Sequence, residues 1–201
     1  MPGLFRYLYS TYRWVWLAAL APALILFFNF TPLDGKPMSH TAWLLYYPAH
    51  MLLRYWPHEM GHVLAGWVSG NRLFITFWGT GLEAGLPLFL LCWCIHRRET
   101  VLSWLPMLWL GYVLLDVSYY MADAAAPKLL YVVPFDTRTY TAAEIGNIHD
   151  WVVMLKALGQ LQNAVSLASY VYLLAVWLLW LPPTTLCFFS CFNKHRNETP
   201  A

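Results

Sequence analysis

Five consecutive residues, His58-Glu59-Met60-Gly61-His62, form the pattern HExxH. Residues four apart on a helix differ by about 40° around its axis, so the imidazoles of His58 and His62 can bind one metal ion. Glu59 points about 100° away from His58 and can accept a proton from a water molecule beside that ion. The pattern therefore predicts a zinc hydrolase site in which His58 and His62 bind Zn²⁺ and Glu59 is the general base.

A catalytic zinc site needs three protein ligands and one open position, so a third ligand must come from elsewhere in the chain. His149 and Asp150 are the candidates, because they follow a long polar stretch and open an apolar segment that could return to the HExxH helix. Neighbouring helical residues point about 100° apart, so we expect one of the two to bind the metal and the other to support it. We favour His149 as the ligand and leave the reverse assignment open.

Three further acids lie in apolar surroundings. Asp116 and Asp123 are seven residues apart in one apolar run, so on a helix they lie within about 20° of each other and face the bundle interior together. Asp116 lies deeper, and we expect it to be functional or paired, whereas Asp123 could equally cap the helix at the membrane interface. Glu83, flanked by glycines, could reach the metal cavity, contact substrate or lie in interfacial water.

The composition is typical of a membrane protein. Hydrophobic residues make up 60% of the 201 residues and charged residues 11%, whereas an ordinary soluble domain is about a quarter charged. The 12 Trp and 13 Tyr have rings that settle where hydrocarbon meets lipid headgroups. A net charge of +2 is too small to indicate nucleic acid as a partner. We therefore predict an integral membrane protein whose partners are membrane lipid and a peptide or membrane-protein substrate.

The apolar runs predict an all-α fold, a polytopic membrane helical bundle of about five segments. The main runs are residues 13–30, 43–68, 82–95, 101–121 and 164–181. The run over residues 82–95 is short, so it either spans the membrane or re-enters it. At Pro57, directly before HExxH, the helix either kinks or begins afresh, and we expect a fresh helix with Pro57 in its first turn that ends near Val68. Pro182 and Pro183 are expected to end the last helix.

The connections between these runs carry further predictions. Residues 72–81 are rich in β-branched and aromatic residues and end in glycines, which predicts a short extended element after the HExxH helix, either a strand that pairs with substrate or an irregular connector. Residues 124–147 form the longest polar connection and are the natural lid. No linker divides the chain, so residues 1–185 are expected to form one domain, followed by a polar tail over residues 186–201.

Two other interpretations remain open. In the first, the protein is a non-catalytic membrane protein whose metal site or polar cluster stabilises the bundle or senses metal, with Glu59 paired to Arg54 or Arg72. The second, a di-iron hydroxylase or desaturase, needs more ligands than this chain offers at the required spacing. An ionisable cluster at membrane depth costs several kcal/mol unless it is coordinated or paired, which favours a metal site.

The order of these motifs resembles that of the site-2-protease class of intramembrane zinc peptidases, and more closely that of a group of bacterial membrane proteins described as metallopeptidases of that type. The shared pattern is HExGH, a Gly-rich turn with a polar residue before a proline, a helix that ends in Tyr-x-x-Asp-Ala, and His-Asp-Trp. This chain carries the elements at residues 58–62, 79–87, 109–124 and 149–151. The resemblance implies a membrane metal site that uses His58, Glu59 and His62, in a bacterial inner membrane.

The chain departs from the pattern at two places. Glu83 stands where the group has an uncharged amide, so no inherited role can be assigned to it. Site-2 proteases also carry a Leu-Asp-Gly ligand element after HExxH, whereas Leu33-Asp34-Gly35 precedes the motif in this chain. Asp34 is therefore not predicted to be a ligand.

Overall fold

The described part of the chain is helical. The computed structural model describes residues 19–20, 22–24, 50–99, 102–125 and 142–198, and no strand occurs among them. The predicted first membrane helix over residues 13–30 lies outside the described residues apart from two short helical pieces. Asp34 and most of the predicted lid also lie outside the described residues.

The HExxH helix has Pro57 in its first turn, as predicted, but it continues a preceding helical turn rather than beginning afresh. A π-helical turn over Met51–Tyr55 leads directly into helix α1, Trp56–Val68, which has Pro57 in its first turn. Pro57 has no N–H to offer the carbonyl of Leu53 four residues earlier, and that carbonyl accepts a hydrogen bond from Nε1 of Trp109 at 2.8 Å. The wider π-helical turn and the hydrogen bond from the Trp109 indole together accommodate Pro57, and the chain stays helical through it.

Helix α2, Arg72–His96, continues through the residues predicted to be extended, so that prediction is wrong. The side chain of Asn71 begins the helix by accepting a hydrogen bond from the N–H of Phe74 at 3.1 Å. In an apolar medium every backbone N–H and C=O must be bonded within its segment, which favours a helix even for residues that prefer strands in water. The run over residues 82–95 is the second half of this helix.

Three helical stretches are long and apolar enough to cross a membrane. They are α2, helix α3 at Trp104–Asp123, and the stretch Leu161–Thr185. The 20 residues of α3 rise by about 30 Å, the thickness of a hydrocarbon core. Among the described residues, three of the roughly five predicted membrane segments therefore correspond to helices that could span a membrane. Several such helices in one chain are typical of a polytopic membrane protein.

Two short helices precede the last long one. Helix α4, Ala142–Ile148, and helix α5, Asp150–Ala157, are separated only by His149, whose backbone is extended. A 3₁₀ turn over Leu161–Asn163 then leads into helix α6, Ala164–Glu198. The chain thus changes direction immediately before Asp150, one of the two candidates for the third ligand.

Helix α6 continues through its two prolines, so the prediction that Pro182 and Pro183 end it is wrong. The hydroxyl groups of Thr184 and Thr185 donate to the carbonyl of Leu181 at 2.9 and 3.0 Å. The prolines themselves leave the carbonyls of Leu178 and Leu179 without their helical donors, and membrane helices tolerate this because neighbouring helices and local backbone adjustments satisfy such groups. The helix extends into the predicted polar tail as far as Glu198.

The bundle is held together by close contact between α3 and α6. Leu115 of α3 and Ala175 and Leu179 of α6 are completely buried against one another. Gly111 permits this approach, because a Cβ at that position would lie 2.8 Å from Cγ of Leu179 and 3.2 Å from the carbonyl oxygen of Ala175. Small residues at such crossings allow membrane helices to pack backbone to backbone.

We expect Gly111→Ala to destabilise the bundle by about 1–3 kcal/mol, because its methyl group overlaps Leu179. The matched control is Gly85→Ala in α2, where an added Cβ meets nothing within 4 Å and the helix should gain from alanine. Thermal unfolding of both variants in the same detergent measures the difference. A Gly111→Ala variant as stable as Gly85→Ala would contradict the close packing of α3 and α6.

Candidate metal centre

The described structure brings three potential ligands together. Two are the histidines of the HExxH motif on α1, and the third is Asp150 at the start of α5. Nε2 of His58 lies 3.1 Å from Nε2 of His62 and 2.9 Å from Oδ2 of Asp150. Nε2 of His62 lies 3.2 Å from the same carboxylate oxygen. These three atoms form a compact triangle of two imidazole nitrogens and one carboxylate oxygen.

The triangle has nearly the size that a zinc ion requires. Ligand atoms about 2.0–2.1 Å from a tetrahedral zinc ion lie about 3.3 Å from one another. The three measured separations fall within about 0.4 Å of that value, and two His with one carboxylate is a known ligand set of catalytic zinc. The His62 side chain is 22% exposed, so the described residues do not enclose the triangle on that side. The residues therefore fit a divalent metal ion with a fourth position left open.

The fold fixes the orientation of His62. Nδ1 of His62 lies 2.9 Å from the carbonyl oxygen of Ile75, which can only accept, so Nδ1 carries the proton and Nε2 has its lone pair free for a metal. Gly79, one turn after Ile75 on α2, faces the same ring. A Cβ on Gly79 would lie 2.4 Å from Cε1 of His62 and 3.1 Å from Cε1 of His58, so only glycine leaves room for both imidazoles.

Glu83 contacts the other face of the site. Its side chain is completely buried, and Oε2 lies 2.9 Å from Nδ1 of His58. Oε1 accepts a hydrogen bond from Nε of Arg54 at 2.9 Å, and Nη1 of Arg54 forms an ion pair with Asp116. Glu83 is therefore buried and does not lie in interfacial water. Asp116 is paired with Arg54, and pairing was one of the two roles expected for it.

His149 lies behind the triangle rather than in it. Its ring stacks on Tyr120 with centroids 4.2 Å apart, and its Nδ1 accepts a hydrogen bond from the N–H of Val152 at 3.4 Å, which caps α5. Nε2 of His149 lies 3.3 Å from Oδ2 of Asp123. Because the cap residue is extended and Asp150 is the first helical residue, the two side chains point in different directions. The structure therefore brings Asp150 to the imidazoles and gives His149 and Asp123 supporting positions.

Glu59 is half-buried next to His58 and makes no hydrogen bond or ion pair with the described residues. The pairing of Glu59 with Arg54 or Arg72, considered from the sequence, does not occur among them. Arg54 contacts Glu83 and Asp116, and Arg72 donates to the carbonyl of Asn147. The carboxylate of Glu59 is therefore not held in place by any of the described residues.

The ligands hold one another through hydrogen bonds. Oδ2 of Asp150 lies 2.9 Å from Nε2 of His58 and 3.2 Å from Nε2 of His62, so a proton on an imidazole can balance the Asp150 charge when no metal is bound. A binding metal ion must displace that proton.

The sequence interpretation did not assign Arg54 and Gly79 to the site. An arginine in an apolar run, one helical turn before His58, is a signal that a buried ionic partner exists, although it does not identify that partner. Gly79 gave no such signal, since glycines in this region also fit a turn. Its role depends on how α1 crosses α2, which only the structure supplies.

No protein-family model, curated protein or solved structure matches this chain.

We expect Asp150→Ala to reduce zinc affinity by at least about 100-fold, because it removes one of three ligands. His149→Asn should bind zinc with a loss below about tenfold, since asparagine retains an oxygen that can cap α5. Metal analysis of the purified variants after dialysis against a graded zinc buffer measures both. The opposite order of the two variants would show that His149 is the ligand.

We expect Gly79→Ala to weaken zinc binding by at least about tenfold, because its methyl group overlaps the His62 ring and moves it away from His58. Gly85→Ala, on the same helix with nothing within 4 Å, serves as the control and should bind as the unsubstituted protein does. The measurement is competition for zinc with a chromophoric chelator. Equal affinities for the two variants would contradict the placement of His62 against α2.

Proposed function

We propose that this protein is an integral membrane zinc metallopeptidase that hydrolyses peptide bonds at or within the bilayer. His58, His62 and Asp150 would hold the zinc ion, and Glu59 would act as general base. The observation that carries the proposal is the convergence of the two HExxH imidazoles with the Asp150 carboxylate, beside a Glu59 that no described residue engages. This is the donor set and the vacant base that zinc-dependent hydrolysis requires.

The depth of the site supports action within the bilayer. Glu83, which contacts His58, lies about 16 Å along α2 from its first residue and about 20 Å from its last. In a helix long enough to span, that position is near the middle of the hydrocarbon region. A hydrolytic site at this depth suits a substrate that is itself a membrane segment.

The residues divide the chemistry among them. Bound zinc would lower the pKa of a coordinated water to about 7 and polarise the substrate carbonyl. Glu59 would accept the proton of the attacking water and pass it to the leaving amine. Ile75 and Glu83 would keep the two imidazoles in place, and His149 would keep Asp150 at the first position of α5.

A bacterial inner membrane is the location that we propose, in line with the resemblance of the motifs. The apolar exposed side chains of α1 and α2, among them Trp67 and Phe89, are compatible with a lipid environment.

Glu59→Gln should retain zinc with the affinity of the unsubstituted protein but lose cleavage by about 10²–10⁴-fold, because an amide cannot accept the proton. The matched control is Glu99→Gln, the same substitution at an exposed residue after α2, which should leave zinc binding and cleavage unchanged. Cleavage is followed with fluorescence-quenched peptides of randomised apolar sequence in proteoliposomes. Zinc is quantified in the same preparations.

Two results would contradict the proposal. Zinc-loaded protein that cleaves no peptide would favour a structural or sensory metal site. Cleavage that persists in Glu59→Gln would exclude Glu59 as the base.

A further inference from the structure

A buried chain of ionic contacts runs from α3 to the metal centre. Asp116 on α3 pairs with Arg54, Arg54 donates to Oε1 of Glu83 on α2, and Oε2 of Glu83 lies 2.9 Å from Nδ1 of His58 on α1. Arg54, Glu83 and Asp116 are all buried. Burying charged groups at membrane depth costs free energy, so we expect their contact with His58 to have a function.

Arg54 determines which oxygen of Glu83 faces His58. A guanidinium group remains charged in proteins and can only donate hydrogen bonds, so Oε1 of Glu83 must accept from Nε of Arg54. Glu83 therefore presents its other oxygen, Oε2, to Nδ1 of His58.

The Glu83 carboxylate lies against the nitrogen of His58 that does not face the triangle. The 2.9 Å contact is a hydrogen bond when Nδ1 carries a hydrogen and donates it to Oε2 of Glu83. A neutral imidazole has one N–H, and placing it at Nδ1 leaves the lone pair at Nε2 for a metal ion that also binds His62 and Asp150.

We propose that Glu83, supported by Arg54 and Asp116, is a positioning residue that holds His58 in the tautomer that binds metal through Nε2. The carboxylate also increases the electron density of the ring and makes Nε2 a better ligand. His62 donates the corresponding hydrogen bond to a backbone carbonyl, that of Ile75, so the two ligands are oriented by acceptors of different kinds, a carboxylate and a peptide carbonyl. This inference rests on the proposed metal site and adds a role for three residues that do not contact the metal.

The test combines a binding measurement with a spectroscopic one. Glu83→Gln keeps the size of the side chain and an oxygen that can accept, but removes the charge, and we expect its zinc dissociation constant to rise about 10–100-fold. Glu99→Gln is the matched control and should bind zinc within about twofold of the unsubstituted protein. Zinc affinity is measured by chelator competition in detergent.

Proton NMR of the zinc-loaded unsubstituted protein with ¹⁵N-labelled histidine reports the tautomer directly, before any Glu83 variant is compared. We expect a downfield proton bonded to Nδ1 of His58, assigned by its loss in His58→Asn. In Glu83→Gln this resonance should move upfield, because an amide is a weaker acceptor, and in Glu99→Gln it should not move. A role for Glu83 in stability alone would leave the resonance where it is.

The outcomes separate this inference from the proposed function. If the unsubstituted protein binds no zinc, both fail. If it binds zinc through His58, His62 and Asp150 but Nδ1 of His58 carries no proton, or Glu83→Gln binds as tightly as Glu99→Gln, the positioning role alone is overturned.

Discussion

The meeting of Asp150 with the imidazoles of His58 and His62 is the interaction on which the rest of this structure depends. It joins helices whose residues are 92 positions apart in the chain, and it places a carboxylate between two nitrogens in a largely apolar bundle. Such a group is tolerated only if its charge is balanced, by protons on the imidazoles or by a metal ion. The surrounding contacts can all be understood as holding this triangle at the size that a metal ion fills.

Close approach of backbones makes the triangle possible. A Cβ on Gly61 would lie 1.9 Å from the carbonyl oxygen of Trp78, so α1 and α2 cross where neither has a side chain in the way. Gly79, on the next position of α2, then leaves the space that the His62 ring occupies. On the opposite side, the cap formed by His149 starts α5 at Asp150 and aims that carboxylate at α1. Glycine and a helix cap thus determine the geometry of the ligands.

Local chemistry made part of this arrangement predictable. Pro57 and HExxH indicated the position of α1, and the scarcity of ionisable residues indicated that His149 or Asp150 belonged to the site. The choice between those two depends on which one caps α5, and the partner of Arg54 depends on a contact 29 residues away, so neither could be derived from spacing. The extended element at residues 72–81 failed because strand preferences measured in water lose their force where an unpaired backbone cannot be solvated.

The most direct test is an anomalous difference map, calculated from crystals of the zinc-loaded protein with data on both sides of the zinc absorption edge. The account predicts one peak per chain, about 2.0–2.2 Å from Nε2 of His58, Nε2 of His62 and a carboxylate oxygen of Asp150. A map with no zinc peak at these atoms, or with a peak bound by His149 in place of Asp150, would contradict it.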